Sequence, residues 1–209
     1  MYKKLILTYL NYTGEPDEKT ARLIDLCAKE VEEKARFSFV YRKYTLTHHP
    51  LMIKELGLLL ESEDLREYLS LCGGCIVMAC TLGYDIDKHL RYLQHTDMAK
   101  AVVFDRAAGR YLEYMCDEKE KEIIKGPHTF RFAPGYGDIP LSLNRSLSRA
   151  LSADKTLGLS VTEGGTFLPF KSMLGITGLG VKKEKSCMSC IKKDSCSLRK
   201  EGLRCYVTD

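Results

Sequence analysis

At 209 residues the chain has the length of one domain, or of one domain with a small appendage, and it can bury a substantial core without disulfide staples. Its 44% hydrophobic and 29% charged residues exclude a disordered polymer, and no apolar run approaches the roughly 20 residues needed to cross a bilayer. The net charge of +4 resides wholly in the tail: eight Lys/Arg stand against four acids from Val181 onward, residues 1–180 balance, and a uniformly basic nucleic-acid footprint is excluded.

The opening MYKKLILTYLNYTGE has a short apolar run followed by Asn11 and Thr13, with no small-residue cleavage site. It reads as a folded element and not as a signal peptide, so the expected location is cytoplasmic. Asp17–Ala35 repeats apolar positions at helical spacing (Ala21, Ile24, Leu26, Cys27, Val31) with acids in the first turn, which predicts an amphipathic helix. Phe37–Leu46 is aromatic and β-branched and predicts a strand. Ser62–Leu71 predicts a short helix with Ser62 as N-cap.

Cys75–Thr81 is a continuous apolar run between Gly73-Gly74 and Gly83, as expected of a strand buried on both faces. Tyr84–Gln94 returns to helical spacing. Asp97 opens a longer helix, Met98 to about Ile124, with a buried first half and an exposed second half ending in the DEKEKE run. Gly109 within it costs about 1 kcal/mol of helix propensity relative to Ala, and close packing against a neighbouring helix is its expected reason. After the Gly126-Pro127 break come a helix at Leu141–Leu151 and strands at Leu157–Thr162 and Ser172–Thr177 around the Gly164-Gly165 turn. This order suits an α+β fold better than regular βαβ alternation.

Between those helices lies Arg131-Phe132-Ala133-Pro134-Gly135-Tyr136-Gly137. Pro134 fixes its own φ and biases Ala133 towards extended backbone. Gly135 and Gly137 can take positive φ and admit a ligand close to the backbone. Arg131 offers a charged planar fork suited to a carboxylate, and Tyr136 an aromatic face and a hydroxyl. A zwitterionic amino acid joined to a sulfonium and a purine needs such a set. By spacing alone, a Pro-Gly turn with an incidental arginine is the favoured reading.

In its surroundings the segment resembles more. RFAPGYGDIP, followed by Gly158–Glu163 and then by Pro169 and Ser172, resembles the activation domain of cobalamin-dependent methionine synthase. Met78–Gly83, Thr96–Ala99, Phe104-Asp105-Arg106 and the opening Tyr9–Tyr12 look like free-standing versions of that domain, and the resemblance spans roughly residues 5–180. It implies a twisted antiparallel sheet with flanking helices over residues 1–181, followed by a basic Cys-rich tail at 182–209. It also implies S-adenosylmethionine binding, with Arg131 on the methionine carboxylate and Ala133, Gly135 and Tyr136 shaping the pocket. The acid that large members of the family place on the long helix is replaced by Gly109, for which Glu113 or Glu163 are the candidate substitutes. A tyrosine that the family uses near the C-terminus has no match.

The activity implied is reductive methylation of cob(II)alamin. The chain has no Asp-x-His-x-x-Gly motif for a cobalamin of its own, so the expected partners are a separate corrinoid-binding methionine synthase or methyltransferase and an electron donor such as a flavodoxin or ferredoxin. Neither a membrane nor nucleic acid is an expected partner. The cofactor carries the chemistry, so no catalytic side chain is called for. The alternative is a non-catalytic regulatory module that binds S-adenosylmethionine or a corrinoid.

Nine cysteines without a secretory signal argue against a disulfide framework. Cys187, Cys190, Cys196 and Cys205 form a C-x2-C-x5-C-x8-C set suited to zinc or to an iron–sulfur cluster. Cys72, Cys75 and Cys80, with Cys27 and Cys116, are expected to be small core residues.

Overall fold

The structure, a computed structural model, describes residues 3–10, 12, 14–183, 187, 194–200, 202 and 204. Helix α1 (Lys3–Tyr9) precedes α2 (Glu18–Lys34), which begins where the Asp17 carboxylate accepts the Thr20 N–H at 2.7 Å. Strand β1 (Ser38–His48) leads into two short edge strands, β2 (Leu51–Ile53) and β3 (Leu58–Leu59). Helix α3 (Glu63–Leu69) starts at the expected cap, with Ser62 Oγ accepting the Leu65 N–H at 3.0 Å. Strand β4 (Gly74–Thr81), α4 (Tyr84–Thr96) and the 26-residue α5 (Met98–Ile123) follow. Asp97 ends α4 through its N–H on the Leu93 carbonyl, and its side chain starts α5 by accepting the Lys100 N–H. Then come α6 (Leu143–Leu151), α7 (Ala153–Leu157), β5 (Ser160–Val161), β6 (Phe167–Leu168), β7 (Ser172–Leu179) and a four-residue helix, α8 (Ser197–Lys200).

The main sheet runs β3-β2-β1-β4-β7 and every pair is antiparallel, so the α+β reading holds. Period-two alternation along β4 divides the core. Cys75, Val77 and Ala79 face a layer that includes Leu65 and Leu69 of α3 and Leu147 and Leu151 of α6. Ile76, Met78 and Cys80 face Ile24, Cys27 and Val31 of α2 and Phe104, Ala107 and Ala108 of α5. Helices cover both faces, which is why β4 reads as an unbroken apolar run.

Three expectations are corrected. Of the Leu157–Thr162 stretch only Ser160–Val161 is strand, with Leu157 closing α7, and β5 pairs with β6 in a separate hairpin, while β7 joins the main sheet beside β4. Gly109 is not a close-packing position, since a side chain there would meet nothing within 4 Å. The second half of α5 is not a solvated face: Cys116 is buried, and Asp117 and Glu120 turn inward to a partner described below. The cysteines at 27, 72, 75, 80 and 116 are all buried, as expected. Among the described residues no helix is long and apolar enough to cross a membrane.

Because Ile76 is fully buried on the central strand, Ile76→Ala is expected to cost about 2–5 kcal/mol in urea unfolding. A cost under about 1 kcal/mol would contradict the two-faced core.

Candidate functional site

Segment 128–132 extends the sheet beyond β7. Phe132 donates its N–H to Ile176 at 2.9 Å and accepts from the Ile176 N–H at 2.7 Å, and the Thr129 N–H donates to Gly178 at 3.0 Å. Alternation follows here too. Phe130 and Phe132 turn to the α3 layer and pack on Tyr68, with ring centroids 4.7 and 4.8 Å away. Arg131 points to the opposite face and crosses β7 at Gly175, where any Cβ would overlap its side chain.

The Arg131 side chain is only 5% exposed. Its Nη2 donates to Asp117 at 2.8 Å and its Nη1 to Glu120, both on α5. Glu120 also accepts the Thr177 hydroxyl at 2.7 Å. Burial by itself would ease the proton off this guanidinium, but Cys116, Glu120 and Asp117 reverse that and hold it above its ordinary value. The cation is therefore permanent and firmly placed. The two acids differ: the Glu120 side chain is 12% exposed, whereas that of Asp117 is 45% exposed.

Beyond Arg131 the chain turns tightly. The Tyr136 N–H donates to Ala133 at 3.1 Å and the Gly135 N–H to Ile139 at 2.9 Å. Gly135 sits at φ +92° and Gly137 at φ +57°, conformations that favour glycine. The turn is pinned to the start of α3. Asp138 accepts from the Ser62 hydroxyl, from the Glu63 N–H at 2.7 Å and from the Asp64 N–H at 3.3 Å. Asp64 in return accepts the Asp138 N–H at 3.0 Å and occupies the space a side chain at 137 would need. Tyr136 is left 59% exposed at the tip, 6.3 Å from the Phe132 ring.

Across α5, Glu113 accepts from Arg110 and from the Tyr9 hydroxyl, the latter at 3.2 Å. Arg110 lies over the Tyr9 ring at 4.8 Å. Burial first, then Glu113, pushes the Tyr9 phenol up to about 12 against the pull of Arg110, and the Tyr136 phenol adds to the rise. Glu163 stands exposed on the β5–β6 turn. That hairpin meets the 131–137 turn through Leu141, which abuts both Gly165 and Gly135.

Arg131, Ala133, Gly135 and Tyr136 thus lie on one short segment, with Arg131 turned to α5 and Tyr136 at the tip of the turn beside Phe132. The structure adds Asp117 and Glu120, which sequence reasoning missed. The available signal was the acidic DEKEKE run, whose inward-facing members look like any solvated helix end. Of the predicted metal set, Cys190 and Cys205 lie outside the described residues, and so does most of the expected 182–209 tail. Among the described residues no group of three or more His, Cys, Asp or Glu gathers as a metal site.

No family model matches the chain, and no curated protein matches it. Among solved structures, the crystal structure of the MetH reactivation domain bound to AdoHcy is similar over 98% of this chain and 82% of that one, at a TM-score of 0.61 and 15% identity. The chain has the reactivation-domain fold.

Two outcomes follow from the turn. Gly137→Ala would combine a positive φ with a clash at Asp64, and is expected to cost at least about 1–2 kcal/mol in urea unfolding. The hydrogen bond from Ser62 first, then those from Glu63 and Asp64, hold the Asp138 carboxyl below its usual range against the opposing effect of burial. Its stabilisation is therefore present above the ordinary carboxylate pKa and is lost as pH falls towards the depressed one. Asp138→Asn should flatten the acid limb of a stability–pH curve and leave the neutral-to-alkaline shape unchanged.

Proposed function

We propose that this chain binds S-adenosylmethionine along segment 131–136 and supports reductive methylation of cob(II)alamin held by a separate corrinoid protein. The observation that carries the reading is a buried, permanently charged Arg131 paired at 2.8 Å with a half-exposed Asp117 in a reactivation-domain fold. An α-amino acid presents a carboxylate and an ammonium about one bond length apart from a shared carbon, so its site needs a cation and an anion side by side. Arg131 serves the carboxylate. Asp117, the more exposed of the two acids, turns from the guanidinium to the ammonium, while Glu120 and the Thr177 hydroxyl keep the guanidinium in place.

The remaining residues fit the rest of the ligand. Among the described residues the Ala133 N–H and the Gly135 carbonyl have no protein partner, and the positive φ of Gly135 leaves the backbone approachable. The exposed Tyr136 ring offers a face to the purine. Glu163 remains available from the hairpin, and Glu113 is committed to Tyr9 and Arg110.

S-adenosylmethionine supplies the methyl group, and an electron donor such as a flavodoxin or ferredoxin supplies one electron. The chain's own residues bind, orient and exclude water, which is where proximity effects arise. Zinc or an iron–sulfur cluster on Cys187, Cys190, Cys196 and Cys205 remains part of the proposal for the tail. A brown protein after anaerobic purification supports the cluster, and a colourless zinc-containing one excludes it.

Calorimetry tests the ligand. S-adenosylmethionine should bind the wild-type chain, and Arg131→Ala should weaken it at least about tenfold through loss of a charge-assisted pair. Asp117→Asn should weaken S-adenosylmethionine but not 5′-methylthioadenosine, which lacks the amino-acid moiety. Wild-type silence at millimolar S-adenosylmethionine would overturn the proposal.

A further inference from the structure

An open cleft of about 520 Å³ lies away from Arg131, between the end of α2 and the outer face of α4. That volume is within the about 300–1,000 Å³ usual for small-molecule sites. Its charged lining does not cancel. Asp85 is paired with Lys88 at 3.6 Å, and Glu33 with Lys29 at 3.9 Å. Lys34 and Arg36 also line the cleft, and among the described residues neither has a carboxylate within 4.0 Å. Arg36 is anchored at one end only, its Nη1 donating to the Glu33 and Ala35 carbonyls at 3.2 and 3.3 Å. A guanidinium has five N–H donors, so most of its capacity faces outward. Two cations thus stand unneutralised on one wall.

The other wall is a rigid aromatic step. His89 Nε2 lies 3.1 Å from Glu30, and Glu30 also holds Lys100 at 2.6 Å. The edge-on Phe104 ring fixes His89 from below, its centroid 4.9 Å away. Tyr92 lies over His89 at 6.1 Å with 24° between the planes. Tyr92 is 61% exposed, so most of its ring is open to solvent at the cleft. Such a ring suits a planar heterocycle, and nucleobase–aromatic stacking is insensitive to base identity.

We propose that this cleft binds a nucleoside diphosphate, with the base on Tyr92 and the diphosphate on Lys34 and Arg36. Two unpaired cations match a diphosphate, and the same excess of positive charge disfavours a sulfonium. The site is therefore distinct in ligand charge, as well as in place, from the one at Arg131.

The test is calorimetry of the full chain with ADP at low salt. One ADP should bind per chain, and excess S-adenosylmethionine should not displace it. The surface double variant K34E/R36E should lose at least about tenfold in ADP affinity. Y92L should lose about tenfold for ADP but nothing for inorganic diphosphate. Absence of ADP binding at millimolar concentration overturns the proposal, as does ADP affinity that K34E/R36E leaves unchanged. Displacement of ADP by S-adenosylmethionine overturns it as well, because ADP would then occupy the Arg131 site. Equal binding of ADP and inorganic diphosphate, with Y92L silent, overturns the assignment of a nucleotide. Unaltered S-adenosylmethionine affinity in K34E/R36E separates this proposal from the preceding one.

Discussion

The buried Arg131 guanidinium is the interaction on which the candidate site depends. A charge moved out of water without partners is costly, and breaking a buried pair costs more than forming it gains. Arg131 meets that demand by lying over Gly175, where the sheet carries no side chain, and by reaching Asp117 and Glu120 on the long helix. One side chain thereby joins the added edge segment, β7 and α5. The same contacts dictate what the neighbours must be: a glycine at 175, acids at 117 and 120, and a hydroxyl at 177 to steady Glu120.

The turn beyond Arg131 is fixed by a second, independent device. Asp138 and Asp64 exchange hydrogen bonds with each other's backbone at the start of α3, and Ser62 binds both Asp138 and the helix. The turn that presents Tyr136 is therefore as firmly placed as a helix N-terminus, although it lies on the surface. A site built this way keeps its cation preorganised and leaves one exposed carboxylate, Asp117, to exchange partners. In the proposed binding mode the reorganisation is confined to the Asp117 side chain, with the ligand's carboxylate taking its place on the guanidinium.

Much of the fold was legible because its signals are local. The apolar run at Cys75–Thr81, the period of Asp17–Ala35 and the cap at Ser62 each specify an element within a few residues. The tight turn was legible at Pro134, Gly135 and Gly137 for the same reason. The partners of Arg131 were not, since pairing it with Asp117 and Glu120 requires the edge segment to lie on β7, a contact that no short-range pattern encodes. An inward acid on a helix rich in Glu and Lys has the same local pattern as an outward one. Gly109 was misread for the converse reason: a helix glycine usually marks a close neighbour, and here it borders open space. The pairing of β5 with β6 instead of with the strand after Pro169 was likewise a matter of tertiary register.

A crystal structure of the chain with S-adenosylmethionine tests the central claim most directly. The account predicts the ligand's carboxylate on Arg131, its ammonium on an Asp117 turned away from the guanidinium, and Glu120 still in place. A ligand bound elsewhere, with the Arg131–Asp117 pair intact, would contradict it.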